Sequence, residues 1–183
     1  MVKNNHNQNA GFTLFEVIMV IFLFSLISVT GTSLFFSIMK TTSKAEAEKE
    51  VKQNGDYAMS VMQTMIRNAK QVTPCETGAS SLTIVNQKGS TNTIECFYED
   101  GVAKISLDSG TLSNALTGSN VTVGTPGGTS CTGSSGSTLV FNCQDTSPQT
   151  VDIAFTLTKS GIGTKVEEQA SVFFQTSVTL RNY

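Results

Sequence analysis

The first eleven residues, MVKNNHNQNAG, are mostly polar, and an apolar run opens at Phe12. From Val17 to Met39 there is no charged side chain, and the apolar density is high through Phe36. A helix needs about 20 such residues to cross a bilayer. A secretory signal peptide has a shorter apolar core followed by a small-x-small cleavage site. Here Gly11 precedes the apolar core, so a cut at that glycine leaves the core attached to the chain.

After Met39 the pattern changes. Lys40 to Lys70 contains no proline and few β-branched residues, and Val51, Tyr57, Ala58, Val61, Met62, Met65, Ile66 and Ala69 recur largely at three- and four-residue steps. That spacing predicts one apolar face of a helix, with Glu48 and Lys52 placed at i,i+4. Gly55 reads as a weak point in such a helix, costing roughly 1 kcal/mol relative to alanine. Pro74 ends the pattern. The prediction is one nearly continuous helix from about Thr13 to Gln71, roughly 90 Å long at 1.5 Å per residue. Its first half is apolar nearly all round and needs lipid or other copies of itself. Its second half is amphipathic and needs a sheet on one face.

A β-rich region follows. SLTIVNQ (81–87), NTIECFYE (92–99) and VAKISLD (102–108) are β-forming runs, and Asp100-Gly101 between the last two is a strong hairpin signal. NVTVG (120–124), STLVFNC (137–143), TVDIAFTLTK (150–159) and SVFFQTSVTLRN (171–182) are the later candidate strands. GTPGGTSCTGSSGS (124–137) has the composition of a flexible loop. The expected fold is therefore α+β: a long N-terminal helix packed on an antiparallel β-sheet head. The expected divisions are a leader over 1–11, a transmembrane and assembly half over 12–39, an amphipathic half over 40–72 and a β-rich head over 73–183.

Composition removes several chemistries. The 183 residues carry a formal net charge of −2, charged residues make up only 14 %, and no basic tract is present. Nonspecific nucleic-acid binding through phosphate neutralisation is therefore disfavoured. The single histidine, His6, lies in the leader. A chain that has lost the leader has no histidine for a Ser-His-Asp or Cys-His centre or for a histidine-ligated metal. Asp100, Asp108, Asp145 and Asp152 are sparse and read as turn or strand-edge acids. No cofactor is expected; structural calcium on a few of these aspartates is the one metal reading retained, without EF-hand spacing.

Cys75, Cys96, Cys131 and Cys143 all follow the apolar run and form no CxxC. Zinc favours shorter ligand spacings. Two disulfides, in an oxidising extracytoplasmic setting, are the preferred reading over four buried thiols. Four cysteines allow three connectivities. The pairing preferred from position along the chain joins Cys131 to Cys143, pinning the loop, and Cys75 to Cys96, tying the helix exit to the second strand.

One acid, Glu16, interrupts the start of the apolar run. An ionisable group there costs up to about 2.5–3.5 kcal/mol at the bilayer centre and less near its edge, so it asks for a purpose beyond snorkelling to the headgroups. Gly11-Phe12-Thr13-Leu14-Phe15-Glu16 resembles the GFTLxE cleavage and methylation motif of type IV pilins, type II secretion pseudopilins and competence pseudopilins. That resemblance implies a membrane-embedded prepilin peptidase that cuts between Gly11 and Phe12 and N-methylates the new terminal Phe12. It also implies that Glu16 neutralises the terminal amine of a neighbouring subunit during stacking. The leader departs from the family in carrying only Lys3 as a base, away from the glycine, and Lys40 and Lys44 after the span leave the positive-inside signal ambiguous. The span also lacks the mid-helix proline of many major pilins, having only Gly31 between Thr30 and Thr32.

Tyr57-Ala58-Met59 through Arg67-Asn68-Ala69, with strands and a late VDIAFTL, loosely resembles the minor pilins and pseudopilins called PilW and GspJ. The expected protein is a minor pilin or pseudopilin, not an enzyme, acting in assembly initiation near a filament tip. Its implied partners are other pilin or pseudopilin subunits, prepilin peptidase, membrane lipid before assembly and an inner-membrane assembly platform. The implied location is the cytoplasmic membrane, with the N-terminus cytoplasmic and the head outside, and then an extracellular or periplasmic filament. The alternative is a filament-displayed adhesin or DNA-uptake subunit, with the 124–137 loop as its contact surface; the acidic charge disfavours DNA.

Overall fold

A computed structural model describes residues 11–110, 112–124, 131, 139–160 and 169–181. The chain divides between Thr41 and Thr42 into two compact units. One helix, α1, runs from Leu14 to Arg67. The strands are β1 (Gln71–Thr73), β2 (Thr77–Ala79), β3 (Ser81–Val85), β4 (Thr91–Glu99), β5 (Val102–Asp108), β6 (Ser113–Ala115), β7 (Val121–Val123), β8 (Val140–Gln144), β9 (Thr150–Lys159) and β10 (Ser171–Thr179). One sheet has the order β1-β3-β4-β5-β6 and the other the order β10-β9-β8-β2, with β7 also paired to β9. Every pairing is antiparallel. The architecture is the expected α+β, pilin-like one: a long N-terminal helix whose second half packs on antiparallel sheets.

In the first unit the helix is exposed along its length, and an 18-residue window apolar enough to cross a membrane has none of its residues buried. The hydroxyls in this stretch turn back on the helix itself. Ser25 donates to the Phe22 carbonyl (2.7 Å), Ser28 to Phe24 (2.8 Å), Thr30 to Ile27 (3.0 Å), Thr32 to Ser28 (2.8 Å) and Ser33 to Val29 (3.0 Å). Polar groups satisfied in this way do not need water, which is what a hydrocarbon environment demands of them.

In the second unit Ala47, Val51, Gly55, Ala58, Met59, Met62 and Ile66 form the buried stripe of α1. It meets the alternate residues Val151, Ile153, Phe155 and Leu157 of β9, together with Phe141, in one core. Tyr57, expected on this stripe, instead lies on the exposed face at 60 % accessibility. The helix also stops earlier than expected. Gln71–Thr73 is β1, which pairs with β3 from Gln71↔Val85 to Thr73↔Thr83. The Lys70 N–H to Val85 carbonyl bond (2.8 Å) opens that ladder. Ala69 and Val72 are buried, so the apolar pattern runs on past the last helical residue into a β-branched pair suited to a strand.

Gly55 corrects a second expectation. A Cβ built on it would overlap the ring of Phe174, which stacks on Phe155 with centroids 5.1 Å apart. The glycine is the place where the helix lets the sheet come close. Gly55→Ala is therefore expected to destabilise the head by about 1–3 kcal/mol through overpacking, despite the gain of about 1 kcal/mol in helix propensity. Thermal unfolding reads this directly: a lowered midpoint that Phe174→Leu partly restores supports the contact, and a raised midpoint for Gly55→Ala contradicts it.

Polar contacts secure the same face of α1. The Glu50 carboxylate accepts from Lys159 Nζ and Asn120 Nδ2, and Asn54 Oδ1 accepts the Gly118 N–H at 3.0 Å. The predicted Asp100-Gly101 hairpin forms between β4 and β5, with φ of 52° and 80° at its two central residues. β1, β2 and β6 are three-residue strands that carry no readable alternation. The 124–137 loop falls outside the described residues except for Gly124 and Cys131, and so do residues 1–10 of the leader.

The disulfides are Cys75–Cys143 and Cys96–Cys131, which corrects the pairing expected from position along the chain. The reason is topological. Cys75 sits where the chain passes from β1 in one sheet to β2 in the other, and β2 pairs β8 with Thr77 opposite Asn142. The Cys143 N–H also bonds the Glu76 carbonyl at 3.0 Å. Cys143 is thereby the neighbour of Cys75, and Cys96 on β4 is left for Cys131.

Candidate functional site

The residues singled out at the start of the apolar run meet at the N-terminal end of α1. Gly11, Phe12 and Thr13 precede the first helical residue, Leu14. Thr13 caps the helix: the Glu16 N–H lies 3.1 Å from the Thr13 carbonyl and 3.3 Å from its hydroxyl, and the Val17 N–H lies 3.3 Å from the same carbonyl. The positions of Thr13 and Glu16 are those of a capping box, with Glu16 at the third helical position. The Thr-x-x-Glu spacing is visible in the sequence but is overshadowed there by the longer motif that contains it. The cap matters physically because the first amides of a helix have no intrahelical acceptor.

Gly11 has open space around it: a Cβ there would meet nothing within 4 Å. Its φ is also outside the left-handed region that favours glycine. The described residues therefore make no demand for glycine at that position. Phe12, Leu14 and Phe15 are 81 %, 82 % and 72 % exposed.

Glu16 is exposed in the first turn of α1. Among the described residues its carboxylate makes no ion pair or side-chain hydrogen bond. A carboxylate in the first turn is favoured by the positive end of the helix dipole. It stands at the start of the apolar half of α1 with no counter-charge among the described residues.

The other candidate positions do not converge on chemistry. Among the described residues no three His, Cys, Asp or Glu side chains cluster to hold a metal ion. Asp108 Oδ1 accepts the Gly110 N–H at 2.7 Å, and Asp145 Oδ1 accepts from Gln149 Nε2 at 2.9 Å. Asp100 occupies the hairpin turn, and Asp152 lies on β9. The four cysteines are all consumed in the two disulfides.

Residues 6–32 match the family model described as the prokaryotic N-terminal methylation motif. No curated protein and no solved structure matches the chain significantly. The match covers Gly11, the Thr13 cap, Glu16 and most of the apolar run, and leaves the head untouched. It supports a type IV pilin-like or pseudopilin chain that is a substrate of prepilin peptidase, and it points to a structural subunit rather than an enzyme. Together with the long apolar helix, it fits a membrane-anchored precursor that passes into a filament, with other pilins and the peptidase as partners in general.

Proposed function

We propose that this chain is a minor pilin or pseudopilin: a structural subunit of a type IV pilus-like or type II secretion-like filament, acting in assembly initiation near the tip. Cleavage between Gly11 and Phe12 frees the amine, N-methylation leaves it able to hold a proton, and the Glu16 carboxylate pairs with the amine of a neighbouring subunit. A misplaced subunit leaves both charges unpaired in an apolar core, so the pair sets register as well as attraction. The head faces away from the cytoplasm, where its two disulfides persist.

The observation that carries this reading is the unburied apolar half of α1, with one carboxylate in its first turn inside a matched methylation motif. The minor role is supported by the absence of proline from the span and by the loose resemblance of the head segments to the PilW and GspJ groups. Its test is stoichiometry. In filaments sheared from cells, quantitative mass spectrometry is expected to find this chain at a small fraction of the principal subunit. A content equal to the principal subunit contradicts the minor role, and absence from filaments contradicts the filament role.

A further inference from the structure

Leu14 is the first helical residue, and Gly11, Phe12 and Thr13 lie outside the helix. The bonds that open α1 end on Thr13. The Glu16 N–H reaches its hydroxyl at 3.3 Å and its carbonyl at 3.1 Å, and the Val17 N–H reaches the same carbonyl at 3.3 Å. Among the described residues no hydrogen bond reaches the Gly11 carbonyl. That carbonyl belongs to the peptide bond at which cleavage is proposed. A helix that ran back through Thr13 and Phe12 would bring the Phe15 N–H onto it, because each helical carbonyl accepts from the residue four positions on.

The side chain at position 13 decides between these two starts. Its hydroxyl accepts an amide that the helix itself leaves unpartnered. Farther along the apolar half, Ser25, Ser28 and Thr32 use their hydroxyls as donors to carbonyls behind them; Thr13 accepts instead. Threonine is also a poorer helix former than alanine, and Gly11 is poorer still. Against this, a longer helix moves the unpaired amides away from the apolar run, where they are costly. The cap removes that incentive by giving the Glu16 amide a partner where it stands.

We infer that Thr13 is a positioning residue for cleavage: its hydroxyl holds the helix start at Leu14 and thereby keeps the Gly11 carbonyl free for the peptidase. Hydrolysis adds water across the Gly11–Phe12 bond. The water oxygen goes to the Gly11 carbonyl carbon, the C–N bond breaks, and the Phe12 nitrogen takes a proton to leave as the new amine. Charge develops on the Gly11 carbonyl oxygen during the attack and needs donors supplied by the enzyme. An oxygen already bonded to the Phe15 amide inside a helical turn does not present itself to those donors.

This inference rests on the cleavage reading proposed above and adds the residue that sets its rate. The test follows cleavage of the full-length chain by membranes containing prepilin peptidase, using two kinds of variant. Thr13→Ala and Thr13→Val lose the acceptor, and valine keeps the shape of threonine. Both are expected to be cut more slowly, Thr13→Ala by about fivefold, the size of a typical cap. Thr13→Ser and Thr13→Asn keep an acceptor, and asparagine abandons the shape; both are expected to be cut within about twofold of the wild-type rate. The second readout is the carbonyl carbon-13 signal of Gly11 in the detergent-solubilised full chain. It is expected to move toward the helical range in Thr13→Ala and to stay in place in Thr13→Ser and Thr13→Asn. Cleavage of Thr13→Ala at the wild-type rate overturns the inference. So does slow cleavage of Thr13→Asn, which means that the peptidase reads the side chain itself, or slow cleavage of Thr13→Ala with an unmoved Gly11 signal. A wild-type chain that is not cut after Gly11 removes the cleavage reading, and this inference with it.

Discussion

Replacing Glu16 with alanine is expected to abolish entry into filaments while leaving cleavage after Gly11 intact. The two steps need different things from the same short segment. Cleavage needs an accessible Gly11–Phe12 bond, and nothing crowds Gly11. The cap that starts α1 uses the Glu16 backbone N–H, not its carboxylate, so alanine at that position leaves the helix start in place. In the proposed assembly step the carboxylate is the partner of the neighbour's terminal amine. Without it, the terminal amine of a neighbour enters an apolar core uncompensated, at a cost of about 3–5 kcal/mol, which is a fall of at least a hundredfold in incorporation. Glu16→Gln keeps the shape and loses the charge, and is expected to fail in the same way. The measurement compares the processed chain in the membrane fraction with that in sheared filaments. Normal filament entry by either variant removes charge pairing from the account.

Removing the Cys75–Cys143 bridge through Cys75→Ser with Cys143→Ser is expected to cost the head about 4 kcal/mol. The bridge spans 68 residues of sequence, and a loop of that size gains much conformational freedom in the unfolded chain when it is opened. Set against a typical domain stability of about 5–15 kcal/mol, the loss is severe. The Cys96–Cys131 bridge, with a separation of 35, closes a loop nested inside the first. With the inner bridge closed the outer loop is effectively shorter, so opening both is expected to cost slightly more than the sum of the two single removals. Urea unfolding of the detergent-solubilised chain, with and without reductant, reads both effects. A midpoint unmoved by loss of the outer bridge contradicts its role in holding the crossover between the two sheets.

The parts of the fold that the sequence revealed are those with a strong local cause. The apolar run, the amphipathic stripe from Val51 to Ile66, the Asp100-Gly101 hairpin and the alternation of β9 each express a period or a turn requirement within a few residues. The parts that escaped depend on distant neighbours. β1, β2 and β6 are too short to carry a period. The end of α1 was obscured because Ala69 and Val72 stay buried after the helix has stopped. Gly55 looked like a defect in helix propensity because the ring that needs its bare Cα, Phe174, lies in the last strand. The disulfide pairing depends on β2 lying beside β8, which no spacing between cysteines encodes. At the candidate site Gly11, Phe12 and Glu16 stood out in the sequence because a glycine and an acid are conspicuous beside an apolar run. Thr13 did not, although its cap is what starts the helix where the leader ends.

The central claim is that this chain is cut between Gly11 and Phe12 and carries a methylated terminus. Intact-mass measurement combined with N-terminal sequencing of the chain purified from its native membrane tests it most directly. The expected N-terminus is Phe12 as N-methyl-phenylalanine, with residues 1–11 gone. A chain that retains the leader, or one that begins at an unmodified Phe12, contradicts it.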